Sequence, residues 1–289
     1  MRRTYTVEGR VTSLKEYLLS DGRVSVTALK RIKYTGLFLN GERVTVRATV
    51  HPGDVVELVY PTDAASDIAP VDLPLHVLYE DESVLAVSKP TAMPVHPSRG
   101  NSLPTLAGAV MHYFRGRPFV FRAINRLDCE TSGIVLIAKT AEAAFRLSAA
   151  MKRGEFKKEY LAVVDGELEP CEGVIDLPIG REREDENRRV VRADGKRAIT
   201  EYKTLRAGEG TSLLLLRLHT GRTHQIRVHL SHLGHPLTDD FLYGREREGA
   251  TYRLHAYRLT FPHPESGERV SVTAPCPFLE EGFSAEEIL

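Results

Sequence analysis

Seven stretches of this chain have the length and apolar character of β-strands, many alternating with period two: SVLAVSK, GIVLIAK, KKEYLAVVDG, RAITEYKTL, SLLLLRLHT, YRLHAYRLTF and RVSVTA, spread over residues 83–274. Only three helical patterns lie between them, at 103–114, 140–153 and 223–233. A parallel doubly wound sheet needs a crossover helix for nearly every strand, so it is excluded. The expected fold class is α+β, a large mixed and mainly antiparallel sheet with flanking helices. In the second helix Thr140 reads as the N-cap and Gly154 as the C-terminal stop, with Ala141, Ala144, Phe145, Ser148 and Met151 on one face. In the third, Thr220 or Gly221 opens the helix, and Ile226, Leu230 and Leu233 form its apolar side.

The first 60 residues have a different texture. A short helix is expected over 12–20, behind Thr12 or Ser13, with a second over 25–33. Asn40-Gly41 between apolar runs is a strong hairpin signal, and HPGD at 51–54 turns the chain into a last strand, VVELVY. This segment carries ten Lys and Arg against six Asp and Glu, whereas the whole chain has 39 of each and no net charge. Zero net charge excludes a generally basic nucleic-acid binder but not a local basic patch. Residues 61–75, PTDAASDIAPVDLPL, read as a linker, which leaves 76–289 as the second domain. No apolar run approaches the ~20 residues of a membrane span. Three scattered cysteines fit free thiols in a reducing compartment, so a cytoplasmic protein with no membrane association is expected.

Two polar clusters could carry chemistry. NRLDCETSG (125–133) places Arg126, Asp128, Thr131 and Ser132 directly before an apolar strand; as chemistry alone this reads first as a turn carboxylate capping nearby amides. HTGRTHQIRVHLSHLGHP (219–236) holds five histidines, a spacing that fits no zinc pattern and favours packed or hydrogen-bonded rings. There His224 and Arg227 are three residues apart and share a helical face. Tyr160 sits in a strand, where a half-buried aromatic is ordinary. The run REREDENRR (181–189) reads as a solvated loop, and the acidic tail with Glu280, Glu281, Glu286 and Glu287 as a solvated end.

Taken in order, KP-x-x-MPVHPS (89–98), RLD-x-x-TSG, KKEYLAVV, TGRTHQIRVHL-x-HLGHP and RLHAYRLTFPHP (253–264) closely resemble the pseudouridine synthases of the RluA/RluD type, over about residues 77–278. The first 60 residues resemble the small RNA-binding domain of ribosomal protein S-four. The resemblance implies isomerisation of uridine within RNA on a flipped nucleotide, without cofactor or metal. It makes Asp128 the catalytic carboxylate, Arg227 its paired charge and Tyr160 the ring against the target base. Arg227 is expected to grip that carboxylate with its planar fork. Stacking is the expected task of Tyr160, since a phenol with a pKa near 10 is a poor base at neutral pH. Arg126 corresponds to the family residue that fills the gap left by the extracted base. Arg222, His224 and Gln225 are expected to contact RNA or the base, Lys89 and His96 to touch phosphates, and Lys30, Arg31 and Lys33 to serve the first domain. Thr131, Ser132 and Gly133 shape the loop. Asn125 stands where the family usually has His; it can hydrogen-bond but cannot carry charge. Large-subunit ribosomal RNA is the expected target and tRNA the rival, with a monomeric enzyme acting on it. A non-catalytic RNA-binding or ribosome-assembly protein, and a His-rich metal hydrolase, are the readings from other classes.

Overall fold

The computed structural model describes residues 2–20, 24, 26–60, 68–97, 103–245 and 251–279. These belong to two compact units, Met1–Ala65 and Ser66–Leu289. The acidic tail, Ser98 and residues 61–67 of the Pro- and Asp-rich stretch after Tyr60 lie outside the described residues.

In the first unit, β1 (Arg2–Thr6), β6 (Val55–Val59), β3 (Leu37–Leu39) and β4 (Glu42–Arg43) make one antiparallel sheet in that order. A small pair, β2 (Thr12–Ser13) and β5 (Thr49–Val50), lies apart from it. Helix α1 (Leu14–Leu19) starts because the Ser13 hydroxyl accepts the Glu16 amide at 3.2 Å, and it buries Leu14, Tyr17 and Leu18. Those side chains join Ile32 of α2 (Val26–Ile32) and Leu37, Val56 and Leu58 of the sheet in one core. Asn40 and Gly41 both take positive φ, 51° and 85°, which is what a two-residue hairpin between β3 and β4 demands. The Asn40 side chain then accepts the Val55 amide at 2.7 Å and donates to Asp54 at 2.8 Å, tying the turn to β6.

The second unit is built on a nine-stranded sheet. Its order is β11 (Glu172–Asp176), β14 (Ile199–Gly208), β15 (Thr211–Leu218), β10 (Lys157–Asp165), β16 (Leu254–Pro262), β9 (Ser132–Ala138), β8 (Val84–Lys89) and β7 (His76–Glu80), with β17 (Arg269–Thr273) paired to β16. Every pairing is antiparallel except β9 with β16. One face packs on α3 (Leu106–Tyr113) through Leu85, Val87, Val135 and Ile137, and on α5 (Gln225–His232) through Ala162, Leu214 and Leu216. The opposite face packs on α4 (Ala141–Lys152) and on the segment from Cys276 to Leu279.

Some expectations need correction. The buried face of α4 is Ala143, Leu147 and Ala150, because the sheet lies on that side; Ala141 and Ser148 are exposed. Helix α5 opens at Gln225, several residues later than expected, and Leu233 is exposed just past its end. The REREDENRR run is bracketed by a hairpin, β12 (Ile179–Arg181) with β13 (Arg189–Val191), where charge hid the strand pattern. Residues 68–75 are docked: the Val71 amide donates to Gly108 at 3.0 Å, and Ile68 and Leu75 pack beside α3.

The parallel junction positions the site. Strands β9 and β16 meet at only two residue pairs, His255 with Ser132 and Ala256 with Gly133. Gly133 has φ +105°, and a Cβ there would stand 2.3 Å from the Ala256 carbonyl oxygen, so no other residue allows this approach. Beyond Gly133 that edge of β9 is covered instead by the chain around Ala123. The Ile124 amide donates to Leu136 at 2.7 Å, and the Ala138 amide donates to Arg122 at 2.9 Å.

Candidate active site

Asn125 continues this lacing with its side chain: Nδ2 donates to the Ile134 carbonyl at 2.9 Å and Oδ1 accepts the Leu136 amide at 2.8 Å. It acts as a surrogate strand residue, which an amide does well and needs no charge to do. Leu127 then packs against both the α3 and the α5 clusters, so the next residue, Asp128, emerges between the two helices over the middle of the sheet. Its carboxylate keeps 29% of its surface exposed. The Thr131 amide donates back to the Asp128 carbonyl at 3.2 Å, and Thr131 and Ser132 are buried, Ser132 on His255 at 2.8 Å.

Lys89 stands behind the loop rather than on an RNA face. It is fully buried, and its Nζ donates to the carbonyls of Pro90 at 2.7 Å and Cys129 at 2.8 Å. That overturns the expected phosphate contact: the lysine is a prop for the loop that carries Asp128. Burial lowers its pKa to about 8, against the charges of Cys129, Glu130 and Asp128. An unfolded lysine titrates near 10.4, so between about pH 8 and 10 the unfolded chain binds more protons than the folded one. Stability from this group therefore rises with pH across that window, by at most about 1.4 kcal/mol per pH unit. Urea denaturation of wild type and Lys89→Met should diverge in slope between those pH values and run parallel below them. Equal slopes throughout would show that Lys89 titrates normally.

Arg227 comes from the buried first turn of α5 and is 3% exposed. Its fork is taken by Asp240, not Asp128: Nε and Nη2 donate to the two Asp240 oxygens at 2.7 and 2.8 Å. Nη1 is left over, 3.7 Å from Oδ2 of Asp128. Asp240, fully buried, also accepts the amides of Leu242 and Tyr243. The guanidinium is boxed by rings, its central carbon 4.4 Å from the Tyr252 centroid, 5.0 Å from Tyr243 and 5.4 Å from Phe241. Such enclosure strengthens a cation's electrostatics and fixes its direction. Asp240 and this aromatic set escape sequence reading; the only trace is the pair of adjacent carboxylates before FLYG.

Tyr160 is nearly buried on the site face of β10, in the cluster that includes Ile226 and Tyr252. Burial, with the Asp128 charge added, pushes its pKa far up. Tyr252, 3.4 Å from the Thr131 hydroxyl, is pushed up by burial too. Both phenols stay protonated at neutral pH and suit packing or stacking, not proton abstraction. His224 is brought to the centre, its Nε2 4.0 Å from Asp128 Oδ2. Gln225 is not available to RNA. It is buried, its Oε1 accepts from Thr220 and the Arg222 amide, and its Nε2 donates to Ile199 and Thr200. Arg126 is exposed at the loop, as is His96, whose ring meets Phe121 edge-on at 4.9 Å. Arg222 is exposed and leans on the Arg197 carbonyl. In the first unit Lys30 is exposed and the Lys33 ammonium lies 4.4 Å above the exposed Tyr34 ring; the Arg31 side chain lies outside the described residues.

Three of the other four histidines of the 219–236 motif have hydrogen-bond partners. His229 bridges Thr200 and Leu177, His219 meets Glu201, and His235 meets the Asp165 carbonyl. Among the described residues no group of three or more His, Cys, Asp or Glu is placed to hold a metal ion.

A carboxylate thus stands over the sheet, faced by the remaining nitrogen, Nη1, of a caged arginine and lined by protonated phenols. Likeness to known proteins identifies the family. Residues 83–232 match the family model described as RNA pseudouridylate synthase. A Bacillus subtilis protein, the uncharacterized RNA pseudouridine synthase YjbO, is 39% identical over 271 residues, covering 92% of this chain and 95% of that one. Ribosomal large subunit pseudouridine synthase D of Xanthomonas campestris is 38% identical over 263 residues, covering 85% and 79%. Among solved structures, human RNA pseudouridylate synthase domain containing 1 superposes with a TM-score of 0.61 at 30% identity, over 72% of this chain and 86% of that one. This chain belongs to the RNA pseudouridine synthase family, and its activity is the isomerisation of uridine in RNA.

Proposed function

We propose that the protein converts uridine to pseudouridine in large-subunit ribosomal RNA, with Asp128 as the reacting carboxylate. The observation that carries the reading is the placement of Asp128, open to solvent on one side and faced by Nη1, the one Arg227 nitrogen that Asp240 does not use. Asp128 acts on the ribose of a flipped nucleotide while the uracil, released and turned, is rejoined through carbon-5. Tyr160 forms a wall for the base, where aromatic stacking contributes about 1–3 kcal/mol. Arg126, exposed and planar, takes the vacated place in the RNA stack. His96 and Arg222 supply cationic or polar contacts at the exposed rim. The first unit serves as an RNA-binding module like that of ribosomal protein S-four, using Lys30, Arg31 and Lys33. Relatives named for the ribosomal large subunit support the choice of RNA. Three free cysteines fit a reducing cytoplasm.

Mapping pseudouridine in total RNA from cells with and without the gene tests this reading. Loss of one or a few large-subunit sites, restored by the purified protein, is the expected outcome. Loss confined to tRNA would transfer the assignment to that substrate, and no change in any RNA would favour a non-catalytic RNA-binding role.

A further inference from the structure

We propose that Tyr243 and His224 form a hydrogen-bonded pair that orients Asp128, with His224 held as the neutral tautomer that carries its proton on Nε2. The idea rests on the reading of Asp128 as the reacting group.

Four observations converge on it. First, the Tyr243 oxygen accepts the Arg189 amide at 2.9 Å and lies 2.8 Å from Nδ1 of His224. Among the described residues, Nδ1 is the acceptor within reach of the phenolic proton, so Nδ1 accepts and the ring proton resides on Nε2. Second, Nε2 is 4.0 Å from Oδ2 of Asp128, and Arg227 Nη1 is 3.7 Å from that same oxygen. Two donors stand near Oδ2, placed to hold that oxygen and leave Oδ1 for a nucleotide once they close. Distances of this kind shorten when substrate closes the site. Third, His224 holds left-handed backbone angles, φ 56° and ψ 21°, directly before α5. A non-glycine residue there is strained, and its side chain does not cap the helix, as a residue at that position ordinarily would. The ring is committed to Tyr243 instead. Fourth, the surroundings keep the ring uncharged: burial lowers its pKa, Arg227 and Arg189 lower it further, and Asp128 and Asp240 oppose them. Neutrality has a purpose. Arg227 already presents a cationic nitrogen to Oδ2, and a second cation would blunt the reactivity of the carboxylate. His224 is thus a positioning residue, and Tyr243 sets its tautomer.

The test has two arms on the full chain. Nitrogen-15 NMR of histidine-labelled protein at pH 7, with the His224 ring assigned by its absence in His224→Asn, should show a neutral ring protonated on Nε2. In Tyr243→Phe the same ring should become a mixture of tautomers. Single-turnover assays on RNA from cells lacking the gene should show Tyr243→Phe slower by about tenfold, the scale of one neutral hydrogen bond, with RNA affinity unchanged. His224→Asn, which tolerates left-handed angles, should be at least as slow. A charged or Nδ1-protonated His224 in the wild type, or an unchanged rate in both variants, would overturn the proposal. The NMR arm uses no substrate, so it still decides the tautomer if Asp128→Asn were to retain activity and the reading of Asp128 itself failed.

Discussion

Asp128→Asn is expected to slow pseudouridine formation by roughly 10⁴-fold or more, the scale of losing a reacting carboxylate, with little change in melting temperature. The two halves of that result have separate physical causes. The Asp128 side chain carries little of the fold: it is part exposed, and its contacts at 3.7 and 4.0 Å are longer than hydrogen bonds. Its backbone carbonyl, which anchors the Thr131 amide, is untouched by the change. Asn therefore fits, but its amide can neither attack ribose nor take a proton from it. Quantifying pseudouridine in RNA incubated with stoichiometric variant, alongside an RNA-binding titration, separates chemistry from affinity. Turnover near the wild-type rate would remove Asp128 from the site.

Arg227→Ala should lose both rate and stability. Asp240 has no exposed surface, so without the guanidinium its charge keeps, among the described residues, just the Leu242 and Tyr243 amides as side-chain partners. Stranding one member of a buried ion pair costs about 3–5 kcal/mol. The rate should fall by roughly 10²–10³-fold, as when one preorganised donor is removed from a reacting centre. The double variant Arg227→Ala/Asp240→Asn separates the effects: urea denaturation should show much of the stability restored, while the rate stays low. Recovery of the rate in the double variant would mean that Arg227 acts only by keeping Asp240 in place. Arg227→Lys should resemble Ala in rate, since an ammonium cannot grip Asp240 with two parallel bonds and still offer an N–H to Asp128.

How far the sequence reached depended on whether a feature was local. Strands β8, β9, β10, β14, β15, β16 and β17 were legible because an apolar run, or in many of them a period-two alternation, is written within each segment. The RLD and HQIR segments marked Asp128 and Arg227, and the fold brings both to one place. Three features were hidden. Asp240 gains its meaning only when its loop folds back on Arg227, thirteen residues earlier. Lys89 precedes a proline and reads as a turn cation; nothing local says that Pro90 and Cys129 will close over it. Gln225 sits inside a motif that suggests contact with substrate, yet its amide is used up by Thr200, Ile199, Thr220 and Arg222. Burial and long-range pairing are properties of the assembled sheet, and a single sequence carries no direct record of them.

The lacing of residues 122–125 onto β9 has a bearing on how heat or denaturant inactivates this protein. Loops that carry reactive groups commonly open at little cost, long before the rest of the chain. Here the approach to Asp128 is bonded to Ile134, Leu136 and Ala138, residues of a strand buried along its whole length near the middle of the sheet. Amide protons along this stretch should therefore fall in the slowest-exchanging set, with the carboxylate held until the central strands part. Loss of the geometry around Asp128 and loss of the sheet are expected to coincide in one cooperative step.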